Sequence, residues 1–329
     1  MRLGVIGTMV WDTIWREPQS AVPLEEWGGI NYALAAADAV GLFDFQIVPL
    51  IQLGRDLADR GFKFLRELSV IETDETVAVL DVANPRVELR YRGEEPRCER
   101  LTGRLPAWSW TELRPRVEGC DALYVNFITG DELDLGAAQE LRDNFSGPIY
   151  ADIHSLMLGT GPQGERHPRQ LARWSEWLEC FDAVQVNEDE LATLAARVDD
   201  PWAFAERVVG RQTGLLFVTL GAGGAAYLVA PDALPLGSAR TKPLHGKGPV
   251  IKRRIAVEAE AGGDPTGCGD VWGMTAFCVL MAGREVEEAV RLANSVASAN
   301  VRHFGASGLN RFLRGEWRLH SRTPGAGGA

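Results

Sequence analysis

The feature that most constrains this chain is a repeated alternation of short apolar runs with helical stretches. Beyond a first strand predicted near Leu3–Ile6, five runs have the continuous apolar character of strands buried on both faces of a parallel sheet. Regular alternation of strand and helix predicts one doubly wound, mainly parallel α/β sheet flanked by helices. The five runs are FQIVPLI (45–51), ALYVNF (122–127), PIYADI (148–153), AVQV (183–186) and LLFVTL (215–220). Helices are predicted near 55–68, 135–145, 168–179, 188–196, 268–281 and 286–303.

Residues 70–104 interrupt this alternation. The segments 76–82 (TVAVLDV) and 86–92 (RVELRYR) have strand character and are joined through Ala83-Asn84-Pro85 with no helix between them. This pattern predicts a β-hairpin inserted into the α/β chain, and an inserted hairpin is a candidate lid. We therefore expect a single domain over 1–320 that carries a β lid at about 70–104, followed by a disordered tail over 321–329.

Composition restricts the partners and the compartment of the protein. A formal net charge of −11 opposes sequence-independent attraction to nucleic acid or to anionic lipid. The five cysteines are scattered and show no Cys-x-x-Cys spacing, which favours free thiols in a reducing compartment. No uninterrupted apolar run approaches the roughly 18 residues of a membrane span. We therefore expect a cytoplasmic protein that binds neither nucleic acid nor membrane.

Residues 159–164 match Gly-x-Gly-x-x-Gly, the dinucleotide-binding pattern. A true fingerprint links a strand directly to a crossover helix, whereas Pro162 and the polar residues after it do not continue a helix. We interpret this segment as a loop, so an NAD-dependent dehydrogenase is the weakest of the functions considered. The sequence has no Gly-x4-Gly-Lys-Ser/Thr and none of the protein-kinase motifs.

The segment 262–273 (GGDPTGCGDVWG) is the most informative for function. A glycine-rich turn there opens into an apolar helix, so backbone N–H groups without intrahelical partners point outward at the positive end of the helix dipole. That geometry binds phosphate oxygens. Asp270 lies in the first turn of the helix, beside the predicted anion site. A carboxylate that only stabilises the helix terminus is the alternative interpretation, and we favour a catalytic one.

Residues Asp264 to Asp270 resemble the second signature of the PfkB (ribokinase-like) carbohydrate kinase family, Asp-Thr-Thr-Gly-Ala-Gly-Asp. Pro265 replaces the first Thr of that signature and Cys268 replaces the Ala. The resemblance implies that Asp270 is the general base. It also implies that the backbone amides of Gly267, Cys268 and Gly269 form the anion hole for the γ-phosphate of ATP.

Further segments resemble landmarks of the same family in the expected order. Residues 186–190 (VNEDE) are similar to the Asn-x-x-Glu motif, which implies that Asn187 and Glu190 help to place Mg²⁺ through water. Residues 219–224 (TLGAGG) are similar to the Thr-Leu-Gly-x-x-Gly turn beside the nucleotide. The nucleotide-binding residues that the resemblance implies are Thr219, Gly221, Gly224 and Asn294.

The acceptor and monovalent-cation sites are also implied by resemblance. Residues 7–12 (GTMVWD) are similar to the strand end whose Asp binds substrate hydroxyls, and residues 28–33 (GGINYA) to the first signature, with a gap about two residues shorter than in ribokinase-type members. The implied substrate-binding residues are Asp12, Gly28, Gly29 and Asn31. The implied ligands of a monovalent cation, K⁺ in this fold, are Asp264 and the carbonyl of Thr266.

The resulting hypothesis is a kinase that transfers the γ-phosphate of Mg·ATP to a hydroxyl of a small sugar or sugar-like substrate. Because lids pair between subunits in this family, the resemblance also implies a homodimer. Two alternatives stay open. One is a nucleoside or vitamin-precursor kinase of the same superfamily, in which Trp11, Trp15 or Trp27 would stack on a base instead of packing in the core or lid. The other is a catalytically silent sugar-binding protein on this fold.

Overall fold

A computed structural model gives the fold and describes residues 1–17, 22–41, 45–71, 75–92, 98–196, 198–231, 233, 236, 249–257 and 262–315. The tail predicted over 321–329 lies outside these ranges. The strands are β1 (Arg2–Glu17), β2 (Leu24–Gly29), β3 (Gln46–Gly54), β4 (Ala78–Leu80), β5 (Arg86–Arg92), β6 (Cys98–Thr102), β7 (Ala122–Asn126), β8 (Ile149–Asp152), β9 (Leu158–Thr160), β10 (Arg166–Pro168), β11 (Ala183–Asn187), β12 (Leu215–Thr219), β13 (Ala225–Val229) and β14 (Ile251–Ile255). The helices are α1 (Ile30–Ala39), α2 (Ala58–Arg66), α3 (Trp110–Val117), α4 (Leu135–Asn144), α5 (Trp174–Glu179), α6 (Glu188–Leu194), α7 (Pro201–Val208), α8 (Cys268–Met281), α9 (Val286–Asn300) and α10 (Leu309–Leu313). None of the helices among these residues is long and apolar enough to cross a membrane.

The central sheet has the strand order β14-β13-β12-β11-β8-β7-β1-β3-β4. The strands from β12 to β4 are parallel, and at one edge β13 pairs antiparallel with β12 and β14 pairs antiparallel with β13. The prediction of a mainly parallel, doubly wound sheet is confirmed. Because parallel strands share one carboxyl edge, the polar residues that end β7, β8 and β11 lie at the same side of the molecule.

Helices cover both faces of the central sheet. Alternate residues of β1 enter opposite layers, since Leu3 and Val5 join one buried cluster and Ile6 joins the other. The first layer contains α1, α2, α8, α9 and α10, and the second contains α3 to α7. Helix α8 is apolar on every side and is buried from Val271 to Met281, which fixes its N-terminus firmly against the sheet edge.

A second, small sheet branches from the central one. Strand β1 is much longer than the predicted Leu3–Ile6, and its distal half pairs antiparallel with β2 and parallel with β5, which pairs in turn with β6. We call β2, residues 9–17 of β1, β5 and β6 the small sheet. The predicted pairing of 76–82 with 86–92 is wrong, because β4 extends the central sheet beside β3 while β5 lies against β1.

The segment 158–168 forms a two-stranded hairpin, β9–β10. The helix predicted over 168–179 therefore begins only at Trp174. The Gly-x-Gly-x-x-Gly pattern is the turn of this hairpin, in which the N–H of Gly161 donates to the carbonyl of Glu165 at 2.8 Å. The interpretation as a loop is confirmed, and no dinucleotide-binding crossover starts there.

Candidate active site

The first turn of α8 forms one wall of the site. Gly267 is the N-cap residue in the left-handed conformation (φ 76°, ψ −1°), and no side chain caps the helix. The N–H of Cys268 donates to the carbonyl of Pro265 at 3.1 Å, so this predicted member of the anion hole already has an acceptor. The N–H groups of Gly267 and Gly269 have no acceptor among the described residues. These amides and the helix dipole leave a positive end that suits a phosphate oxygen.

Asp270 is held in place from the carboxyl edge of the sheet. Asn126, the last residue of β7, donates its Nδ2 hydrogen to Asp270 Oδ1 at 2.7 Å. Strand β11, which lies on the far side of β8 from β7, supplies Gln185, whose Nε2 donates to the carbonyl of Gly269 at 3.0 Å and to Asp152 Oδ2 at 2.9 Å. Amides of two sheet strands therefore fix both the carboxylate of Asp270 and the backbone beside it. These amides were not predicted, although Asn126 ends one apolar run and Gln185 is the polar residue inside another.

A cleft of about 730 Å³ opens beside this turn. It brings together most of the residues predicted to bind nucleotide, magnesium and the transferred phosphate. Part of the cleft is lined by the apolar residues Ala222, Val257, Ala297 and Val301. The predicted residues that line the cleft are Asn187, Glu190, Thr219, Gly221, Gly224, Gly267, Cys268, Gly269, Asp270 and Asn294.

The wall formed by 219–224 is a tight turn between β12 and β13. Gly224 has φ 89°, and a Cβ atom there would lie 2.1 Å from the carbonyl oxygen of Ile255, so only glycine fits. Asn294 reaches the same cleft from α9, but its amide is already engaged. Its Oδ1 accepts from Trp272 Nε1 at 2.8 Å and its Nδ2 donates to the carbonyl of Ile255 at 3.1 Å.

Asn187 and Glu190 form a capping box at the start of α6. The backbone N–H of Glu190 donates to Asn187 Oδ1 at 2.9 Å, and that of Asn187 donates to Glu190 Oε2 at 2.8 Å. Glu190 also pairs with the Nδ1 of His154. The pair thus acts as a helix cap and also presents carboxylate oxygen to the cleft. Because these oxygens already accept hydrogen bonds from Asn187, Glu190 and His154, the pair fits magnesium only through the water shell of the ion and not as direct ligands.

Burial and charged neighbours shift the pKa values of Asp152 and His154, which line the cleft. Burial, followed by the carboxylate of Glu190, raises the pKa of Asp152 well above its usual range. Burial alone would lower the pKa of His154, but its charge pairing and hydrogen bond with Glu190, together with Asp152, raise that pKa to about 9. His154 is therefore a cation at neutral pH in the wall of the cleft.

The predicted acceptor residues lie where the small sheet meets α1. Gly28 pairs with Val10 across the two strands, and a Cβ atom at Gly28 would lie 1.9 Å from Asp12 Oδ2. Gly28 therefore makes room for the Asp12 carboxylate. Gly29 (φ 60°) starts the turn into α1. Asn31 is fully buried, and neither Nδ2 nor Oδ1 of its amide has a partner among the described residues.

Tyr32 lies between the predicted acceptor residues and the predicted anion hole. Its ring packs against the backbone of Gly267, since a Cβ atom there would lie 2.3 Å from the ring. Burial raises the pKa of Tyr32 well above its usual range, and the carboxylates of Asp12, Asp264 and Asp270 raise it further. Asp12 and Asp270 therefore lie around the same phenol, which places the predicted acceptor and catalytic carboxylates at one site.

The predicted ligands of a monovalent cation already have protein partners. Asp264 accepts from the backbone N–H of Thr266 at 3.0 Å and from its Oγ1 at 2.6 Å, and it forms an ion pair with Arg16. The carbonyl of Thr266 accepts from Asn300 Nδ2 at 3.0 Å. With a guanidinium on the carboxylate and an amide on the carbonyl, this donor set does not fit an added cation.

The tryptophans near the acceptor residues pack against protein groups. Trp11 and Trp27 meet edge to face with ring centroids 5.2 Å apart, and Arg60 lies over the Trp11 ring. Arg90 lies over the Trp15 ring. These contacts favour packing of the three rings against protein groups over stacking on a flat base.

Comparison with known proteins supports the resemblance. Residues 162–311 match the family model described as pfkB family carbohydrate kinase. No curated protein sequence is significantly similar to the chain. The match to that family model spans residues 162–311, and the chain as a whole has the fold of the ribokinase-family kinases.

Three solved structures illustrate that fold. A pyrophosphate-dependent kinase in the ribokinase family, in complex with sulfate, is similar with a TM-score of 0.72 and 17% identity, over 93% of this chain and 96% of that one. The nucleoside kinase of Burkholderia thailandensis in complex with inosine has a TM-score of 0.67 and 17% identity, over 93% of each chain. The ribokinase of Arabidopsis thaliana in complex with ribose and ATP has a TM-score of 0.63 and 16% identity, over 95% of this chain and 98% of that one.

Proposed function

We propose that this protein is an ATP-dependent kinase that transfers the γ-phosphate to a hydroxyl of a small sugar or sugar-like substrate. The observation that carries the proposal is the position of Asp270. Its carboxylate is fixed by Asn126 in the first turn of α8, between the 730 Å³ cleft and the acceptor residues around Tyr32. A base held between a donor cleft and a polar acceptor pocket suits direct transfer between two bound substrates.

In the proposed reaction, Asp270 accepts the proton of the acceptor hydroxyl. The hydroxyl oxygen attacks the γ-phosphorus, the bond from that phosphorus to the β-γ bridging oxygen breaks, and ADP leaves. Charge on the transferring group is stabilised by the free amides of Gly267 and Gly269 and by the dipole of α8. Magnesium, when bound, neutralises phosphate charge, and Asn187 with Glu190 would hold it through water.

The acceptor pocket supports a substrate with several hydroxyl groups. The buried amide of Asn31 offers donors and an acceptor that no described residue uses, and a buried polar group without a partner is costly. Hydroxyls of a bound substrate would satisfy it, with the Asp12 carboxylate accepting a further hydrogen bond. A pocket built in this way rejects analogues that lack the hydroxyl.

The small sheet is the proposed lid. It contributes Asp12 to the acceptor pocket, and its closure would exclude water, which otherwise competes with the acceptor for the phosphate. Strand β2 is an outer strand of this sheet, whereas the outer edge of β6 already bonds to the β9–β10 hairpin, with the N–H of Leu101 donating to the carbonyl of Gly164 at 2.8 Å. We propose that β2 pairs with the same strand of a second subunit in a cytoplasmic homodimer, which light scattering during size-exclusion chromatography would test.

The comparisons leave two alternatives open, one for the acceptor and one for the phosphoryl donor, and the test below includes both. The similarity to a nucleoside kinase keeps a nucleoside acceptor open, and the similarity to a pyrophosphate-dependent kinase keeps a second donor open. The apolar part of the cleft, formed in part by Ala222, Val257 and Ala297, suits an adenosine moiety and favours ATP.

The proposal is tested by measuring phosphorylated product from a matrix of donors and acceptors. The donors are Mg·ATP and magnesium pyrophosphate, and the acceptors are sugars, polyols, sugar phosphates, nucleosides and vitamin precursors. Protein with Asp270→Asn, purified in parallel, corrects for contaminating kinases. We expect turnover with ATP and a polyhydroxylated acceptor. Turnover only with a nucleoside, or only with pyrophosphate, would replace the proposed acceptor or donor, whereas tight binding of a sugar without turnover would favour the silent sugar-binding protein.

A further inference from the structure

Two residues of the small sheet contact the loop that precedes the anion hole. Arg16 of β1 forms an ion pair with Asp264, and the hydroxyl of Tyr91 of β5 lies 2.8 Å from Thr266 Oγ1. The two residues are register partners across the parallel β1–β5 pair. The carboxyl ends of the two inner strands of the small sheet therefore carry both contacts to the loop.

Strand alternation explains why Arg16 reaches this loop. Side chains at every second position of a strand share one face, so Asp12 and Arg16 project from the same side of β1. Val87 and Tyr91 of β5 share that side in the paired register. Strand β1, which carries Asp12, therefore also places the Arg16 guanidinium against the loop that precedes the anion hole.

The Asp264 carboxylate depends on that guanidinium for charge compensation. Only 2% of the Asp264 side chain is exposed, against 27% of the Arg16 side chain. Arg16 also lies over the ring of Phe304, with its guanidinium carbon 4.7 Å from the ring centroid. A buried carboxylate requires a partner cation, and a stacked guanidinium has little freedom to leave.

The rest of the loop is fixed around this pair. The N–H of Asp264 donates to the carbonyl of Val301 at 2.8 Å, and Asn300 donates to the carbonyl of Thr266. Each oxygen that a monovalent cation would use therefore has a donor from the protein. The loop leads directly to Gly267 and its free N–H, so its position sets the position of the anion hole.

We infer that Arg16 is a built-in cation that replaces a monovalent metal ion at Asp264 and positions the anion-hole loop when the small sheet is closed. This inference rests on the proposed kinase function. It assigns Arg16 as a positioning residue, because it acts on the phosphate only through the loop. It also makes catalysis independent of K⁺, in contrast to what the resemblance to the family implies.

The test compares wild-type protein with Arg16→Met and Arg16→Lys in KCl and in choline chloride at equal ionic strength. We expect wild-type kcat to be equal, within twofold, in the two salts. Arg16→Met should lose at least tenfold in kcat in choline and recover at least threefold in KCl, because the vacated carboxylate can then take K⁺. Arg16→Lys, which keeps the charge, should retain more kcat than Arg16→Met. Arg86→Gln is the matched control, since Arg86 starts β5 and pairs with Asp56 away from the loop.

Melting temperatures in the same two salts, without substrates, give a readout that does not depend on turnover. KCl should raise the melting temperature of Arg16→Met relative to choline chloride and leave that of the wild type and of Arg86→Gln unchanged. A wild-type protein that needs K⁺ for activity or stability would overturn the inference. So would equal loss in Arg16→Met and Arg16→Lys, or an Arg16→Met protein that responds to K⁺ no more than the wild type does. If no acceptor is turned over at all, the proposed function fails while the melting temperatures still decide the role of Arg16.

Discussion

Replacing Gly267 by alanine should damage both the stability and the anion hole of this protein. Gly267 adopts φ 76°, where L-residues are strained, and it lies at the N-cap of α8. A Cβ atom there would lie 2.3 Å from two atoms of the Tyr32 ring. That ring is 1% exposed and packed in the core, so it cannot swing away to relieve the contact.

The expected loss of stability has two parts, and a second glycine of the chain allows them to be measured separately. The left-handed conformation costs alanine about 1–2 kcal/mol. Forcing a methyl group into a packed site costs about 1–3 kcal/mol more. Gly283→Ala is the control, because Gly283 has φ 73° and no atom lies within 4 Å of its added Cβ. It should lose only the first part, so Gly267→Ala should be the less stable variant by about 1–3 kcal/mol.

Urea unfolding of the two variants and of the wild type measures this difference directly. Initial rates of the reaction then measure the effect on the anion hole. We expect kcat to fall for Gly267→Ala and to stay at the wild-type level for Gly283→Ala. Equal free energies of unfolding in the two variants would refute the packing of Tyr32 on the loop. Equal kcat values in the two would refute the role of that loop in the reaction.

Three further predictions concern groups around the site. Asn126→Ala should lower kcat about tenfold with little change in the KM for ATP, because it removes a hydrogen bond to Asp270 and none to the nucleotide cleft; steady-state kinetics with a matched thermal melt would check this. Glu132→Ala should cost roughly 3–5 kcal/mol in urea unfolding, because this buried carboxylate accepts hydrogen bonds from Thr8 and from the 128–130 backbone, and an unchanged stability would contradict that network. His154, whose pKa is raised to about 9, should stabilise the fold fully below about pH 6.5, its unfolded pKa, and lose that contribution as pH rises through about 9. The stability difference between wild type and His154→Gln, measured from pH 6 to 10, should therefore shrink with rising pH, and a constant or growing difference would contradict the pairing with Glu190.

Much of the architecture follows from local patterns in the sequence. The apolar runs at 122–127, 183–186 and 215–220 lie in strands because a two-sided parallel sheet buries every residue of such runs. Helix α8 matches its predicted bounds of 268–281, since a glycine turn and a continuous apolar stretch define it locally. The polar motifs near 187, 219 and 267 meet in one cleft because parallel strands share a carboxyl edge.

The features that were missed depend on contacts between distant parts of the chain. The segments 76–82 and 86–92 have the local pattern of a hairpin, but each pairs with a different earlier strand. Their closeness in the sequence does not reveal these distant partners. The helix predicted from residue 168 starts at Trp174 because the hairpin β9–β10 uses the preceding residues. Arg16 and Asp264 are 248 positions apart, so no local pattern could pair them.

The central claim is that Asp270 is the base of a phosphoryl transfer. The most direct test is the rate of acceptor phosphorylation by Asp270→Asn at saturating Mg·ATP, with ATP affinity measured by calorimetry in the same preparation. Asp59→Asn is the control, because Asp59 is an exposed carboxylate in the first turn of another helix, α2. We predict that Asp270→Asn loses about 10²–10⁴-fold in kcat and binds ATP with the affinity of the wild type. Asp59→Asn should keep the kcat of the wild type. A kcat for Asp270→Asn within tenfold of the wild type would contradict the account.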